Sequence, residues 1–427
     1  MRKLTIRNVG PITNTAEIIF NRFCILIGPQ SSGKSTIAKL MSTCMWIEKE
    51  ACTSLSTDII DSGPSFRKLI EDFHRIHGYI RPDNSYISYE SDYVSIIYDR
   101  DKFSLSFNNN ENYRRLKISY IPSDRNIVTM RDIEKRELEA TNLRSFLFDW
   151  LAANKHYDKN NMVPILNLGI KYYFDTYANN KHDRIIHGNG VTYDISLYDA
   201  SSGIQSVVPL TVLMHYLLSN YFDDYNKEIS FEQREKNTTL SWTIVKKVLE
   251  KHFPSEVTDA NYKKYYNENI KRKQEQGDLT AQTIMDEMRS FYNQLTMPNS
   301  ISFILEEPEQ NLYPSTQVEL LKDIFKACNG IHPSTALITT HSPYTLTFIN
   351  NLIYAARIGE LHPEPVKKII PSDLWLQADI VSAYRVSNGT VTEIMDEEIH
   401  EIKAELIDEV SQAINEQYEK IADIEFA

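Results

Sequence analysis

A short stretch near the amino terminus constrains the fold more than any other part of the chain. It reads Gly-Pro-Gln-Ser-Ser-Gly-Lys-Ser-Thr over residues 28–36: a glycine, four residues, a second glycine, a lysine and two hydroxyl residues. An apolar run over residues 23–27 precedes it and predicts a buried strand. Behind it, apolar residues recur with helical spacing at Ile37, Leu40, Met41, Cys44 and Met45. Strand, glycine-bounded loop and helix in this order indicate a phosphate-binding loop.

The chemistry of such a loop gives its residues defined roles. Glycines let successive backbone N–H groups point at phosphate oxygens, and the following helix adds the positive end of its dipole. Lys34 is predicted to contact the β- and γ-phosphates, and the Ser35 hydroxyl to ligate Mg²⁺. The alternative, a glycine-serine turn with a surface lysine, is disfavoured by the flanking strand and helix. We predict that a nucleotide is bound by Gly28, Pro29, Gln30, Ser31, Ser32, Gly33, Lys34, Ser35 and Thr36.

Length and composition bound what else the chain can be. Its 427 residues suggest two or three domains, or one domain with large insertions. Its hydrophobic fraction of 42% and charged fraction of 24% are those of a globular protein. The formal net charge of −12 argues against a protein that grips nucleic acid over its whole surface. The sequence has no apolar run that predicts a membrane span or a signal peptide, so we expect a cytoplasmic protein without a membrane partner. The four cysteines lack paired spacing and predict neither disulfides nor a zinc site.

The distribution of motifs divides the chain into three segments. Residues 1–130 hold the phosphate-binding loop and three strand-like runs over 86–107 that predict a small antiparallel β subdomain. Residues 131–298 have mainly helical signals, with two short strands on either side of a turn at 188–190. Residues 299–427 return to buried strands and end in an amphipathic helix that begins near Ile399. The predicted fold class is α/β, with a mixed-sheet core, the small antiparallel subdomain and inserted helical segments.

A polar stretch rich in lysine and tyrosine, at about 222–298, is predicted to be a helical insertion on the surface with few core positions. Within it, Tyr-Lys-Lys-Tyr-Tyr over 262–266 and Lys-Arg-Lys over 271–273 are candidate nucleic-acid contacts, because bases stack on aromatic rings and phosphates attract cations. Acidic neighbours such as Glu268 and Glu275 favour the alternative, a solvated helix face. We favour the solvated face and leave direct nucleic-acid binding open.

Two adjacent carboxylates follow a second buried strand. The apolar run over 301–305 ends in Glu306, Glu307 and Pro308. Glu306 is predicted to hold Mg²⁺, directly or through water, because magnesium prefers oxygen ligands beside phosphates. Glu307 is predicted to polarise the water that attacks the γ-phosphate. His341 follows another apolar strand, and is predicted to contact the γ-phosphate or that water. A glutamate pair or a histidine alone is usually structural, but a phosphate-binding loop in the same chain favours chemistry.

The order of these motifs resembles that of the ABC-type ATPase superfamily. The phosphate-binding loop is followed by Ser-Ser-Gly-Ile-Gln over 201–205, then by the strand with Glu306, Glu307 and Pro308, then by the strand with His341. The chain looks like the non-transport branch, near SMC and RecF, and especially like the ATPase domains of the OLD family and the PtuA-like anti-phage ATPases. This resemblance implies an ABC-type P-loop ATPase head that binds ATP and Mg²⁺ and hydrolyses ATP.

The resemblance also implies that two copies of the chain together form each ATP site. In that superfamily two heads sandwich ATP, and the signature serine and glycine of one head touch the γ-phosphate held by the other. Carried over, Ser202 and Gly203 act in trans, Glu307 is the catalytic base and His341 the switch residue. One loop and one signature per chain imply a head-to-tail homodimer, or a higher oligomer built from such dimers. Ser202 is also placed to cap a predicted helix.

This sequence departs from the superfamily pattern in three places. The signature is Ser-Ser-Gly-Ile-Gln instead of Ser-Gly-Gly-Gln, and Glu306 stands where an aspartate is usual. No glutamine-loop residue is visible, and the segment after Ile121 offers Arg125 and Asn126 instead. The altered signature concerns the geometry of that motif, and the missing glutamine-loop residue concerns the coupling of Mg²⁺ to conformational change.

Three functions are compatible with the resemblance. The leading hypothesis is an ATP-driven switch that regulates a separately encoded effector, such as a nuclease, in anti-phage defence. A separate effector is expected because no paired-acid nuclease pattern follows His341. One alternative is a DNA-maintenance ATPase of the RecF or SMC kind, supported by the basic stretch over 263–273. The other is the nucleotide-binding subunit of a transporter, which predicts a cleaner signature and a glutamine loop.

Overall fold

Strands and helices of the chain are known from a computed structural model that describes residues 1–109, 112–130, 133, 139–177, 182–188, 193–225, 231–330, 332, 334–396, 398–403 and 419. The strands are β1 (Arg2–Val9), β2 (Ile12–Thr15), β3 (Ile18–Phe20), β4 (Phe23–Ile27), β5 (Tyr86–Ser91), β6 (Val94–Asp99), β7 (Lys102–Phe107), β8 (Leu116–Ile121), β9 (Val163–Ile165), β10 (Ile170–Phe174), β11 (Asp183–His187), β12 (Tyr193–Ser196), β13 (Ser300–Glu306), β14 (Thr335–Thr340), β15 (Val381–Ser387) and β16 (Thr390–Glu393).

The helices lie between these strands and in a long excursion before β13. The α-helices are α1 (Lys34–Ser54), α2 (Gly63–His74), α3 (Asn142–Ala153), α4 (Ser202–Ser219), α5 (Tyr221–Tyr225), α6 (Phe231–His252), α7 (Tyr262–Tyr265), α8 (Arg272–Glu275), α9 (Leu279–Thr296), α10 (Pro314–Cys328), α11 (Pro343–Gly359) and α12 (Pro363–Lys367). A π-helical turn over Tyr266–Lys271 joins α7 to α8, and a 3-10 helix over Ser123–Thr129 follows β8.

Twelve of the described strands form one mixed sheet. Its order is β7-β6-β5-β1-β2-β16-β15-β4-β14-β13-β8, with β3 paired to β1. The strands from β15 to β8 in this order pair in parallel. The other four, β9 to β12, form a separate antiparallel sheet. The predicted α/β class, with a mixed-sheet core, a small antiparallel sheet and helical segments, is confirmed.

The parallel strands bring distant segments of the chain to one edge of the sheet. In the strand register, Ile27 lies opposite Thr340 and Glu306 lies opposite Thr339. Because parallel strands end on the same side, the segments that follow β4, β14, β13 and β8 all emerge at this carboxyl edge. These segments are the phosphate-binding loop after β4, His341 after β14, the loop over 307–313 after β13 (the Glu307 loop) and the 3-10 helix after β8.

The central sheet is covered on both faces, which explains the continuous apolar run in β4. Phe23 and Ile25 join one hydrophobic cluster, with side chains of α3, α4, α10 and α11. Cys24 and Leu26 point the other way, into a cluster with side chains of α1, α2, α6 and α9. A strand buried on both faces has no polar alternation, as observed here. The four cysteines are free and buried, in agreement with the prediction of no disulfides.

The small antiparallel sheet does not lie where the sequence placed it. The strands predicted over 86–107 form as β5, β6 and β7, but β5 pairs with β1, so they extend the main sheet. The separate sheet lies over 163–196. The two short strands predicted on either side of residues 188–190 form as β11 and β12, whereas the helical prediction for 131–180 was wrong over 163–174, where β9 and β10 lie. Val163, Ile165, Ile170 and Tyr172 are buried while their neighbours Pro164 and Lys171 are exposed, which is the two-residue period of a strand.

The insertion is helical as predicted, but the prediction of few core positions was wrong. Leu240, Ile244 and Val248 form a buried stripe on α6 that packs with buried residues of α9 into the cluster around α1. Three apolar residues at four-residue spacing are enough for one face, even in a polar sequence. In its basic stretch, Lys264 pairs with Glu268 at 3.9 Å, and the Lys263 ammonium lies 5.2 Å from the centroid of the Trp242 indole.

Two helix ends differ from expectation. The N-cap of α4 is Ser201, without a side-chain capping hydrogen bond, so the prediction that Ser202 caps this helix was wrong. The amphipathic helix predicted from Ile399 does not begin there, because Ile402 is buried and pairs with Met395 as an isolated β-bridge. The remainder of that predicted helix, apart from residue 419, lies outside the described residues. Among the described helices, none is long and apolar enough to cross a membrane.

Candidate active site

The phosphate-binding loop has the geometry that its sequence predicts. It leaves β4 after Ile27 and enters α1 at Lys34. Gly33 precedes the helix with φ of 109°, and Ser31 also has a positive φ, of 59°. A Cβ atom at Gly33 would collide with the side chain of Ile12. The second glycine of the motif is therefore required both by its backbone conformation and by the close approach of β2.

Lys34 lies under this loop, with 4% of the residue exposed. Its Nζ donates hydrogen bonds to the carbonyls of Gly28 at 2.9 Å and Pro29 at 2.8 Å, and lies 3.4 Å from His341 Nδ1. Burial lowers the pKa of Lys34 to about 8, although the charges of Glu307 and Glu309 act in the opposite direction. A buried cation whose protonated form is disfavoured by desolvation is well suited to an anionic ligand such as a phosphate.

His341 connects this lysine to the predicted catalytic carboxylate. Its Nε2 lies 3.0 Å from Glu307 Oε1. A protonated lysine can only donate, so Nδ1 of His341 accepts from Lys34 and its Nε2–H donates to Glu307. The structure thus joins Lys34, His341 and Glu307, three residues predicted from separate motifs, into one chain of polar contacts.

These groups line a cleft of about 520 Å³ at the carboxyl edge of the sheet. Its wall includes most of the phosphate-binding loop, from Gln30 to Thr36, together with Glu307 and His341. The lining also contains Pro11, Ile76 and Tyr79, beside Gly10 and Lys39. A cleft of this volume, lined by both polar and apolar side chains, is of the size that binds a small cofactor.

The Glu307 backbone is held in an unusual conformation. Its φ is 43°, in the left-handed region that residues with a side chain rarely adopt. Its N–H donates to the Thr339 carbonyl at 2.9 Å, and the Gln310 N–H donates to the Glu307 carbonyl at 3.0 Å. Strained backbone of this kind persists only where the surroundings hold it, and it is concentrated at functional sites.

Glu306 is suited to a metal ligand. It is 5% exposed, and its Oε2 accepts a hydrogen bond of 3.3 Å from the Ser123 N–H. Its Oε1 is buried and meets no hydrogen-bond partner of ordinary geometry among the described residues. Burial, the charge of Glu306 and the closeness of the Tyr120 hydroxyl to that carboxylate together raise the pKa of Tyr120. A buried carboxylate is costly unless a cation approaches it, so Glu306 fits Mg²⁺, and Ser35 lies in the adjoining cleft.

The signature residues are not part of this cleft. Ser202 is exposed at the first turn of α4, and Gly203 is half-buried behind it. A Cβ atom at Gly203 would lie 2.8 Å from the Asn311 carbonyl oxygen, so the start of α4 packs closely on the loop after Glu307. Within one chain the structure does not bring Ser202 or Gly203 to the residues that line the phosphate-binding cleft.

Several residues of the site were not predicted from the sequence. Glu309 Oε1 accepts hydrogen bonds from the His341 N–H at 2.8 Å and the Thr340 hydroxyl at 2.7 Å, and so fixes the start of the His341 loop. The position of Glu309, two residues after Glu307 in the same loop, was the sequence signal that could have identified it. Tyr79 and Ile76 follow α2, in a stretch without any motif, and no sequence signal connects them to the site.

No protein-family profile and no curated protein matches this chain. Among solved structures, it is similar to an SMC head domain from Thermotoga maritima, with 10% identity, a TM-score of 0.36, and 92% of this chain and 97% of that chain covered. It is also similar to the recombination mediator protein RecF, with 10% identity, a TM-score of 0.30 and coverage of 92% and 97%.

A third similar structure is an ATP-binding cassette of an ABC transporter, with 12% identity, a TM-score of 0.27 and coverage of 96% of both chains. TM-scores this low mark a loose likeness of the backbone. The assignment of ATP binding and hydrolysis therefore depends on the side chains of this protein.

Proposed function

We propose that this chain is an ATP-binding and ATP-hydrolysing switch of the ABC type that works as a homodimer. The observation that carries the proposal is the line of contacts from Lys34 through His341 to Glu307, inside the cleft of the phosphate-binding loop. Phosphoryl transfer to water needs a cation at the phosphates and a group that positions the water. The loop and these three side chains supply both.

In this mechanism each residue has a distinct task. Lys34 and the N–H groups of the loop bind the phosphates and stabilise the negative charge that develops on them. Glu307 accepts a proton from the attacking water, and His341 holds the Glu307 carboxylate through its Nε2–H. Ser35 and Glu306 are the proposed Mg²⁺ ligands, and the metal would supply charge neutralisation at the phosphate oxygens.

The position of the signature supports a site shared by two chains. Ser202 is exposed and lies outside the cleft of its own chain, so it is free to meet a second copy. In the proposed dimer, Ser202 and Gly203 of each chain complete the cleft of the other. ATP binding then closes the dimer and hydrolysis opens it, because only the closed state satisfies the γ-phosphate from both sides.

Mixing two inactive variants tests this arrangement. Lys34→Ala removes the phosphate cation and Ser202→Arg blocks the signature, so neither homodimer is expected to hydrolyse ATP. In a mixed dimer, one of the two clefts combines an intact loop with an intact signature. We expect ATPase activity to return on mixing, up to about a quarter of the wild-type rate for random pairing in a symmetric dimer.

Ser219→Arg is the matched control, because Ser219 is an exposed serine at the opposite end of the same helix. It is expected to retain wild-type activity without mixing. If the Lys34→Ala and Ser202→Arg proteins form mixed dimers and stay inactive, the signature does not act in trans and the shared site is wrong.

The part of the cleft lined by Tyr79 is the proposed place for the nucleotide base. The Tyr79 ring lies against Gly10, and its residue is 37% exposed. Stacking of a base on an aromatic ring contributes about 1–3 kcal/mol. Tyr79→Ala is therefore expected to weaken ATP binding about tenfold or more while leaving the affinity for inorganic triphosphate unchanged, as measured by calorimetry.

Tyr177→Ala removes a tyrosine that is 94% exposed and is the control for this measurement. Equal losses of affinity for ATP and for triphosphate in the Tyr79→Ala protein would show that Tyr79 supports the loop and does not contact the base.

The output of the switch is proposed from the resemblance to anti-phage ATPases. We infer a cytoplasmic ATPase that regulates a separate effector, such as a nuclease, in defence against phage. This is checked by purifying the protein from its native host with and without ATP and identifying what remains bound. A nuclease retained in one nucleotide state supports the proposal, and the absence of any effector in both states contradicts it.

A further inference from the structure

A buried arginine outside the cleft holds the loop that carries Glu307. Arg125 belongs to the 3-10 helix Ser123–Thr129 and is 1% exposed. Its Nη1 donates to the Glu306 carbonyl at 3.0 Å, and its Nη2 donates to the carbonyls of Glu307 at 3.0 Å and Pro308 at 3.1 Å. Three successive peptide groups around the proposed catalytic base are therefore fixed by one side chain.

The same guanidinium also reaches the signature helix. Its Nε donates to the Ser206 carbonyl of α4 at 2.9 Å. Ser206 is about one helical turn beyond Ser202 and Gly203. The close approach of Gly203 to the Asn311 carbonyl brings α4 against the far end of the same loop. Arg125 and this contact leave little room for α4 and the Glu307 loop to move separately.

All N–H donors of the Arg125 guanidinium group are used. The remaining Nη1 bond goes to the Pro122 carbonyl at 3.4 Å, so all five N–H groups of Arg125 face backbone carbonyls. Its hydrogen-bond partners are carbonyls of three segments: Pro122 directly after β8, the loop that begins at Glu307, and α4. A planar group with five fixed donors is suited to joining several backbone segments in one geometry.

We propose that Arg125 is a positioning residue that sets Glu307 for hydrolysis and couples it to the signature of the same chain. This rests on the proposed dimer, in which one chain's Glu307 serves its own cleft while that chain's α4 completes the partner's cleft. A shift of α4 on meeting the partner's nucleotide is then transmitted through Arg125 to Glu307. Each of the two clefts thereby senses whether the other is occupied.

Arg125→Lys tests the positioning role. A lysine ammonium has three donors and no fork, so it cannot hold the five carbonyls together. We expect kcat to fall by about 10²-fold, because small displacements of a catalytic group have effects of that size. The Kd for ATP is expected to change by less than about threefold, because Arg125 does not line the cleft.

Arg22→Lys is the matched control for loss of a structural clamp. Arg22 donates to the carbonyls of Ser334 at 3.2 Å and Cys328 at 2.8 Å, at the amino ends of the same parallel strands. The Arg22→Lys protein is compared with the Arg125→Lys protein in melting temperature and in kcat. If the two variants lower both quantities equally, general destabilisation explains the loss of kcat and the proposal is overturned. In the Glu307→Gln background, Arg125→Lys is expected to cause no further loss, since it acts through Glu307.

Mixed dimers separate coupling from positioning. With one active cleft per dimer, Arg125→Lys is placed either in the chain that provides Glu307 to that cleft or in the chain that provides only the signature. We expect both placements to lower turnover, because Arg125 holds α4 through the Ser206 carbonyl and so also fixes the signature that the second chain presents. Loss in the first placement alone overturns the coupling. If the wild-type protein does not hydrolyse ATP, the proposed function fails and this proposal fails with it. If wild type is active and Arg125→Lys matches it, only the role of Arg125 is wrong.

Discussion

Lys34→Ala is expected to abolish ATP binding in the concentration range where the wild-type protein is saturated. The ammonium group is buried under the loop, within 2.9 Å of two loop carbonyls, and it lies 3.4 Å from His341 Nδ1. Hydrogen bonds to charged groups contribute about 1.5–3 kcal/mol each, and more than one phosphate oxygen is involved. We therefore expect a loss of affinity of about 10²-fold or more, measured by calorimetry or with a fluorescent nucleotide.

The same lysine predicts how nucleotide affinity depends on pH. Its pKa is lowered to about 8 by burial, so the ammonium begins to lose its proton just above neutral pH. Binding of a phosphate favours the protonated form, and affinity is expected to fall as the pH rises through about 8. In the Lys34→Ala protein this dependence should be absent.

Lys39→Ala is the matched control, since Lys39 is on the same helix and lines the same cleft without lying under the loop. Its loss is expected to reduce affinity only modestly. Unchanged ATP affinity in a folded Lys34→Ala protein would contradict the assignment of residues 28–36 as the nucleotide site.

Glu307→Gln is expected to bind ATP but not to hydrolyse it, and so to trap an ATP-bound dimer. Glutamine keeps the size of the side chain and can still contact His341, but its amide cannot accept a proton from water. Loss of a general base costs about 10²–10⁴-fold in rate. Light scattering with Mg²⁺ and ATP should show a stable dimer, and the nucleotide recovered from it should be ATP.

Glu319→Gln removes a carboxylate from α10, where Glu319 pairs with Lys322 at 2.7 Å away from the cleft, and it should leave turnover unchanged. A Glu307→Gln protein that hydrolyses ATP at the wild-type rate would exclude Glu307 as the base. In that case Glu309, which contacts the His341 N–H, would be the next carboxylate to test.

The two motifs that the sequence identified best are those whose chemistry is local. The phosphate-binding loop needs only its glycines, its lysine and the strand and helix on either side, and all of these are neighbours in sequence. Glu306 and His341 were found because each ends an apolar run, and apolar runs predict buried strands. The Asn388-Gly389 turn that joins β15 to β16 is also local, because Asn-Gly is a typical hairpin dipeptide.

The errors arose where a weak local pattern competed with packing. The stripe of Leu240, Ile244 and Val248 is short and lies in a polar sequence, so its burial depends on α9 and α1 being present to receive it. The strands over 163–174 have an alternating pattern, but each is only a few residues long. β9 pairs with β10, and β10 also pairs with β11, which supplies the stability that the local sequence lacks.

The sequence alone determined which residues are proposed to carry the chemistry, because a phosphate loop and strand-end carboxylates are local patterns. Only the tertiary structure decided how they meet. The order β4-β14-β13-β8 places Lys34, His341, Glu307 and Arg125 side by side although they come from distant parts of the chain. The strand order depends on how the helices cover both faces of the sheet, and no local periodicity in the sequence encodes that arrangement. The contacts of Arg125 with five carbonyls therefore became visible only in the folded protein.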